Sequence, residues 1–138
     1  MKNMLLIAAA ILSFNAAYAQ KDIPQAAIAT VKQKFPNIQK MSWDKEKNGD
    51  FEAEFKLNGR DISVTVSPKG EWLETETGIT ESEIPAPVMA AFRKEHGAIK
   101  IKEASKIESN KPLVYEIAYK DGVKTKEVVY DAKGAVSK

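Results

Sequence analysis

The stretch FEAEFKLNGRDISVTV, residues 51–66, decides the fold. Apolar and polar side chains alternate on both sides of Asn58-Gly59, the dipeptide that most strongly indicates a two-residue hairpin turn. Such a turn places the apolar residues of both strands on one face of a sheet, because side chains alternate strictly along a strand. The predicted pairs are Phe55 with Ile62, Ala53 with Val64, and Phe51 with Val66.

The next turn, Pro68-Lys69-Gly70, suits a three-residue loop with glycine at its left-handed end. This loop predicts that Trp72 joins Val66 in the core. The alternate residues then form a second sheet face, which we expect to be polar and wet. Its predicted members are Glu52, Glu54, Lys56, Ser63, Thr65 and Leu73, followed later in the chain by Glu116, Ala118, Thr125, Glu127 and Val129.

The whole pattern occurs twice along the chain. The helix start Asp22-Ile23-Pro24 recurs as Glu83-Ile84-Pro85, and the strand FEAEFK at residues 51–56 recurs as YEIAYK at residues 115–120. Each unit is predicted to be a helix packed on a four-stranded antiparallel meander, with Val136 taking the place of Trp72 in the second. The fold prediction is α+β: two such repeats, residues 22–79 and 83–138, joined into one extended sheet.

The first residues are typical of an export signal. Lys2 precedes an apolar run, and Ala17-Tyr18-Ala19 forms a small-x-small cleavage site. We therefore predict a signal peptide at residues 1–19 and one mature domain at residues 20–138, periplasmic or secreted. The apolar run is too short to cross a bilayer, so no membrane span is expected.

Composition excludes several classes of function. The chain has no cysteine, so a hydrophobic core must stabilise it without disulfides. Its formal net charge is only +2, which gives no electrostatic argument for nucleic-acid binding. We expect no cofactor, and the oligomeric state stays open.

The segment DKEKNGD, residues 44–50, raises the question of calcium. Oxygen-bearing side chains alternate along it: Asp44, Glu46, Asn48 and Asp50. An EF-hand loop that started at Asp44 would also have Gly49 correctly placed, but its twelfth ligand, a bidentate glutamate, would be Phe55. A turn between two strands is the simpler interpretation, and weak calcium binding is the alternative.

Few residues suggest catalysis. His96 is the only histidine, and at a helix end we expect it to act as a cap or a partly buried filler. Glu52 and Glu54 point to one side of their strand, as the paired acids of a glycosidase would, but an open sheet face lacks the cleft that such a pair needs. We predict no enzymatic activity and no metal site, with hydrolysis as a third hypothesis.

Together these motifs resemble the PepSY-like family of small exported bacterial proteins. The resemblance covers the mature chain and rests on the paired Ile-Pro helix starts, Trp43 in the first strand, the FEAEF and YEIAY strands, and the closing turn VVYDAKG at residues 128–134. It implies a fold similar to the β-lactamase inhibitory protein, whose tandem units form a concave sheet that grips an enzyme. No inhibitory residue carries over.

The predicted function is that of a non-enzymatic exported binding module. Its polar sheet face, centred on Glu52, Glu54, Thr65 and Leu73, is expected to contact an envelope protein, such as a hydrolase or peptidase that it restrains. The alternative is a periplasmic protein that binds a small ligand or calcium through the loop from Asp44 to Asp50.

Overall fold

The structure is a computed structural model that describes residues 22–137. Residues 1–21, with the predicted signal peptide, and Lys138 lie outside the described residues. Within the described range the chain forms two α-helices and seven strands, with a 3-10 turn at Glu81–Glu83. In chain order they are α1 (Gln25–Lys34), β1 (Ser42–Lys45), β2 (Phe51–Leu57), β3 (Arg60–Val66), β4 (Trp72–Ile79), α2 (Ala86–His96), β5 (Ile101–Ser109), β6 (Val114–Asp121) and β7 (Lys124–Asp131).

All seven strands belong to one antiparallel sheet, and each strand pairs with the next along the chain. The two halves of the chain meet where β4 pairs with β5, for example through Thr77 opposite Lys106. The α+β prediction is therefore confirmed as one seven-stranded antiparallel sheet with two helices.

The β2–β3 hairpin has the predicted register. Phe55 lies opposite Ile62, and the other two predicted pairs are also present. Asn58 and Gly59 have φ angles of 52° and 78°, the left-handed values that a type I′ turn requires at both central residues. The turn chemistry and the apolar alternation therefore agree, and together they fix this hairpin.

Both helices pack on the same face of the sheet, and each covers its own apolar cluster. Val31 of α1 packs with Val64 in the first cluster, and Phe92 of α2 packs with Ile117 in the second. The Ile-Pro pairs place the helix starts, since proline at the cap gives up no helical hydrogen bond while the preceding isoleucine is buried.

Strand β4 departs from the predicted alternation. The register shifts between Thr65 and Val66, so that Val66 lies opposite Trp72 while Thr65 lies opposite Glu74. Leu73 is the additional residue of a β-bulge, which places two residues against one on the neighbouring strand. The position opposite Thr65 therefore holds Glu74, where strict alternation predicts Leu73.

The end of the chain also differs from the prediction of four strands in each unit. The second half has three strands, followed by a single bridge between Tyr130 and Val136. Backbone hydrogen bonds flank this bridge, from Asp131 N to Ala135 O and from Ser137 N to Val129 O. Val136 thus occupies the predicted position, but it remains 49% exposed, because a single bridge does not hold it under α2.

Candidate functional site

The sheet face opposite the helices, called the open face here, carries a concentration of carboxylates. Residues that are directly opposite on paired strands share a face, so the register assigns its members. The acidic members contributed by β1 to β7 are Asp44, Glu52, Glu54, Asp61, Glu74, Glu76, Glu103, Glu116, Glu127 and Asp131. A chain with a formal net charge of +2 therefore concentrates negative charge on one side of its sheet.

The open face carries a groove. The groove has a volume of about 780 Å³, and residues from every strand line it. The β2–β3 turn, through Asn58 and Gly59, and Thr80 after β4 also border it, so turns as well as strand side chains form its walls. The lining side chains of the open face include Ser42, Glu54, Ser63, Glu76, Glu116 and Glu127.

Several open-face residues that the sequence predicts to be wet are buried. Glu52 and Glu116 are 8% and 7% exposed, and Ala118 is buried beside Glu116. The expectation of a fully wetted second face is therefore wrong at these positions. The sequence shows which residues of a strand share a face, but the solvent access of that face depends on the side chains of the neighbouring strands.

Glu52 on β2 has a partner inside the protein. The hydroxyl of Ser63 on β3 donates a hydrogen bond to Glu52 Oε1. Burial raises the pKa of the Glu52 carboxyl, the hydrogen bond from Ser63 lowers it, and the nearby charge of Glu54 raises it, for a pKa of about 7. Near neutral pH this carboxyl is therefore divided between its charged and neutral forms.

Glu116 on β6 has no such partner. Among residues 22–137, no side chain makes a hydrogen bond or an ion pair with it. Burial raises its pKa to about 8, and the charges of Glu76, Glu127, Glu74 and Glu103 add to the effect. A carboxyl group in this environment is costly to ionise unless a positive group approaches it.

The difference has a local cause. In the predicted repeat Glu52 corresponds to Glu116, and at the same offset Ser63 corresponds to Glu127. The position that supplies a hydroxyl donor in the first half therefore supplies a second carboxylate in the other half. Burial also raises the pKa of Glu127, with a smaller contribution from Glu76.

The basic side chains near the groove lie at its rim and have acidic partners of their own. Lys102 lies 3.5 Å from Glu103, and Lys56 lies 2.6 Å from Asp61. All four side chains are exposed, so these pairs contribute little to stability. The centre of the groove keeps an excess of carboxylates.

The register assigns a face to three of the four predicted site residues. It places Glu52, Glu54 and Thr65 together on the open face, whereas Leu73 is the unpaired residue in the bulge of β4, and the register assigns no face to it. Sequence reasoning missed Glu74 and Glu76 as members of this face. The alternation of Glu74-Thr75-Glu76-Thr77 indicates that both glutamates share one face of the sheet, although it does not indicate which face.

The loop of the calcium hypothesis is a turn. Gly49 N donates to Glu46 O, and Asp50 N donates to the Asn48 side chain, which is ordinary turn chemistry. The twelfth position, Phe55, is a buried residue of β2. Over residues 22–137 no group of three or more histidine or acidic side chains is arranged to hold a metal ion.

His96 lies on the helix-covered side of the sheet. Its ring packs between Phe92 and Tyr119, with centroid distances of 4.9 and 4.5 Å. This contact agrees with the predicted role of a partly buried filler at the end of α2. Since Glu52 and Glu54 face the other side of the sheet, they cannot act together with His96 on one substrate.

The fold defines a class of protein in which two helices cover one face of an antiparallel sheet and the other face, with its groove, is left uncovered by them. Residues 49–138 match the family described as "Putative beta-lactamase-inhibitor-like, PepSY-like". The chain belongs to this family, as its resemblance predicts. No curated protein matches it.

Solved structures from Bacteroides share the fold. A "putative periplasmic" protein of Bacteroides eggerthii is 22% identical with a TM-score of 0.77, and the match covers 84% of this chain and 86% of that one. A DUF2874 family protein of Bacteroides ovatus is 19% identical, with a TM-score of 0.74 and coverage of 84% and 85%. A BLIP-like protein of Bacteroides fragilis is also 19% identical, with a TM-score of 0.69 and 84% coverage of both chains.

These likenesses show the fold of this chain. One neighbour is described as periplasmic, in line with the predicted compartment. Between residues 22 and 137 no helix has the length and apolar character that a membrane crossing requires.

Proposed function

We propose that this chain is a non-enzymatic, exported binding module that contacts a protein partner through its open face. The observation that carries the proposal is the groove, which is lined by residues of all seven strands and includes the buried carboxylate Glu116. A broad concave surface with fixed polar groups is a suitable site for a protein partner. The proposal depends on this site, because a fold alone does not determine function.

The family description supports an inhibitor-like role within this proposal. In this role the chain would restrain an envelope hydrolase or peptidase, with Glu52, Glu54, Thr65 and Leu73 among the contacts. Of these residues Glu54 lines the groove, and Glu76 lines it too and extends the set. The predicted signal peptide supports action in the periplasm or outside the cell.

The experiment is a capture from envelope extract of the source organism on immobilised residues 20–138. Bound proteins are identified by mass spectrometry and accepted only if free mature protein releases them. The test variant is Glu54→Lys with Leu73→Asp, and the matched control is Lys94→Glu on the exposed side of α2. We expect the test variant to lose the partner and the control to retain it.

Equal retention by both variants would remove the open face from consideration. If competition releases no captured protein, the binding-module proposal fails. If a hydrolase is captured, its activity is assayed directly, and inhibition by the wild-type chain would support the inhibitor-like role.

We also infer that the two halves are related units, as the repeat predicts. Gly70 lies against Ala26 of α1, and Gly134 lies against Pro87 of α2, so the closing turn of each half touches its own helix at a corresponding place. Substitution of these two glycines, described in the Discussion, tests this relation.

A further inference from the structure

Glu116 is the least expected residue of the open face. It is 7% exposed, it lines the groove, and no other side chain of residues 22–137 makes a hydrogen bond or ion pair with it. In residues 22–137 the fully buried side-chain atoms without a partner are Trp43 Nε1, Asp44 Oδ1 and His96 Nε2, so the carboxyl oxygens of Glu116 are open to the groove. A carboxylate that is held on a largely buried side chain and has no partner of its own is available to a donor that enters the groove. Glu52, which corresponds to Glu116 in the predicted repeat, receives a hydrogen bond from Ser63 of the same chain.

The surroundings of Glu116 make the absence of a partner more pronounced. Directly opposite on β5 is Ser105, whose hydroxyl is directed to Glu76 instead, and two residues further along β6 Ala118 lies between Glu103 and Glu127. In the predicted repeat Ala118 corresponds to Glu54, so a small side chain stands here in place of a large one. The groove beside Glu116 is therefore acidic on several sides and has space for a side chain from outside.

We propose that this part of the groove receives an arginine side chain of the partner protein, with its guanidinium group hydrogen-bonded to Glu116 and to the carboxylates around it. The proposal rests on the proposed function, because it assumes that the partner is a protein. A guanidinium group has five N–H donors in a planar fork and can bridge more than one carboxylate.

Two observations favour an organic cation over a metal ion. No group of three or more ligating side chains is arranged for a metal within the described part of the chain. The carboxylates also come from four strands and surround a groove, which suits the several donors of a guanidinium group better than a compact ion.

The test uses the mature chain, residues 20–138, and a blocked peptide, acetyl-Gly-Arg-Gly-amide, followed by the amide NMR signals of the protein. The matched probe replaces arginine with citrulline, which keeps the shape and removes the charge. We expect the arginine peptide to shift the signals of Ser105, Glu116 and Ala118, and the citrulline peptide to leave them in place. The lysine peptide should bind more weakly than the arginine peptide.

Two isosteric variants localise the effect. Glu116→Gln should weaken peptide binding by roughly tenfold, the change expected on losing one charge-assisted hydrogen bond. Glu52→Gln is the matched control, because it neutralises an equally buried carboxylate that already has Ser63 as its donor. Both variants remove a buried charge without changing shape, so both are expected to fold.

The proposal is overturned if the citrulline peptide binds equally well, if the two variants behave alike, or if no signal near Glu116 moves. Calcium chloride is a separate arm, and calcium that displaces the peptide from these residues would assign the groove to a metal ion instead.

The two proposals fail separately. A captured partner that Glu116→Gln still binds with full affinity would leave the binding-module proposal standing and remove this inference. Peptide binding at Glu116 without any captured partner would establish a guanidinium site in the groove and remove the protein partner from both proposals.

Discussion

Two buried glutamates of the open face, one in each half of the sheet, differ in their surroundings. Glu52 and Glu116 are almost equally buried, yet Ser63 donates a hydrogen bond to the first, whereas Glu127 is a second carboxylate near the other. The comparison separates two causes. The neighbouring strands bury both side chains, and one neighbouring side chain determines whether the carboxyl group has a partner.

The largest expected effect concerns the contact between the closing turn of each half and its helix, on which the comparison of the two halves depends. A Cβ atom on Gly70 would lie 2.7 Å from Ala26 O, and one on Gly134 would lie 2.5 Å from Pro87 O. Both glycines also have left-handed φ angles of 83° and 86°. Gly70→Ala and Gly134→Ala should each lower the free energy of unfolding by roughly 2–4 kcal/mol in urea denaturation.

The control is Gly59→Ala, since Gly59 has a left-handed φ but no atom within 4 Å of the added Cβ. It should cost only about 1 kcal/mol, the conformational part of the penalty. Unequal costs at Gly70 and Gly134 would argue that the two halves are not structurally equivalent.

The next effect is a dependence of stability on pH. Both Glu52 and Glu116 have folded-state pKa values, about 7 and about 8, above the ordinary 4.5, so the folded chain holds these protons more tightly than the unfolded chain. The resulting stability is present below pH 4.5 and is lost as the pH rises through 7 and 8. Denaturation in urea should therefore show a loss on the order of 2 kcal/mol between pH about 5 and about 9.

At acidic pH the stability changes with pH in the opposite direction, because a different pair of residues is responsible. Arg60 holds the pKa of Glu83 down to about 2, aided by hydrogen bonds from Thr80, so the stability from Glu83 is lost as the pH falls from 4.5 through 2. Maximum stability is expected near pH 5. A profile that rises steadily from pH 5 to 9 would contradict the raised pKa values of the open face.

A smaller effect distinguishes the two glutamates directly. At pH about 9 both are ionised, and Glu116→Gln should stabilise the chain by roughly 1–2 kcal/mol because it removes a buried charge without a partner. Glu52→Gln should gain less, since Ser63 already stabilises that charge. Chemical denaturation of both variants at the same pH measures the difference, and equal gains would show that Ser63 has no influence.

The smallest predicted effect follows from exchanging the side chain that distinguishes the surroundings of Glu52 and Glu116. Glu127→Ser places the hydroxyl of the first half in the second, and it should lower the midpoint of the Glu116 carboxyl titration by roughly one pH unit. Ser63→Ala should move the Glu52 midpoint in the opposite direction. Carbon-detected NMR of the side-chain carboxyls gives both midpoints, and an unchanged Glu116 midpoint would mean that Glu127 has no influence on its pKa.

Much of the fold could be predicted because its determinants are local. Asn58-Gly59 fixes one hairpin, the apolar alternation fixes its register, and the Ile-Pro pairs mark both helix starts. Each of these features acts over a few residues, so a single sequence contains the information. The family resemblance rests on the same local features, and residues 49–138 match the family.

The features that could not be predicted depend on the assembled sheet. The bulge at Leu73 shifts β4 relative to β3, and this shift moves Glu74 and Glu76 onto the open face. The burial of Glu116 depends on the side chains that β5 and β7 place on either side of it. Of the predicted site, Glu52, Glu54 and Thr65 share the open face, while their role in protein binding remains a prediction.

The strand order has a consequence for the kinetics of folding. Because every strand pairs with its neighbour in sequence, no pairing has to wait for a distant segment, and the contact order is low for a sheet of this size. Residues 22–79 can form their hairpins before the rest of the chain has collapsed. The groove, however, contains residues from both halves and therefore exists only after β4 and β5 have joined, so its assembly is a late event that reports completion of the native state.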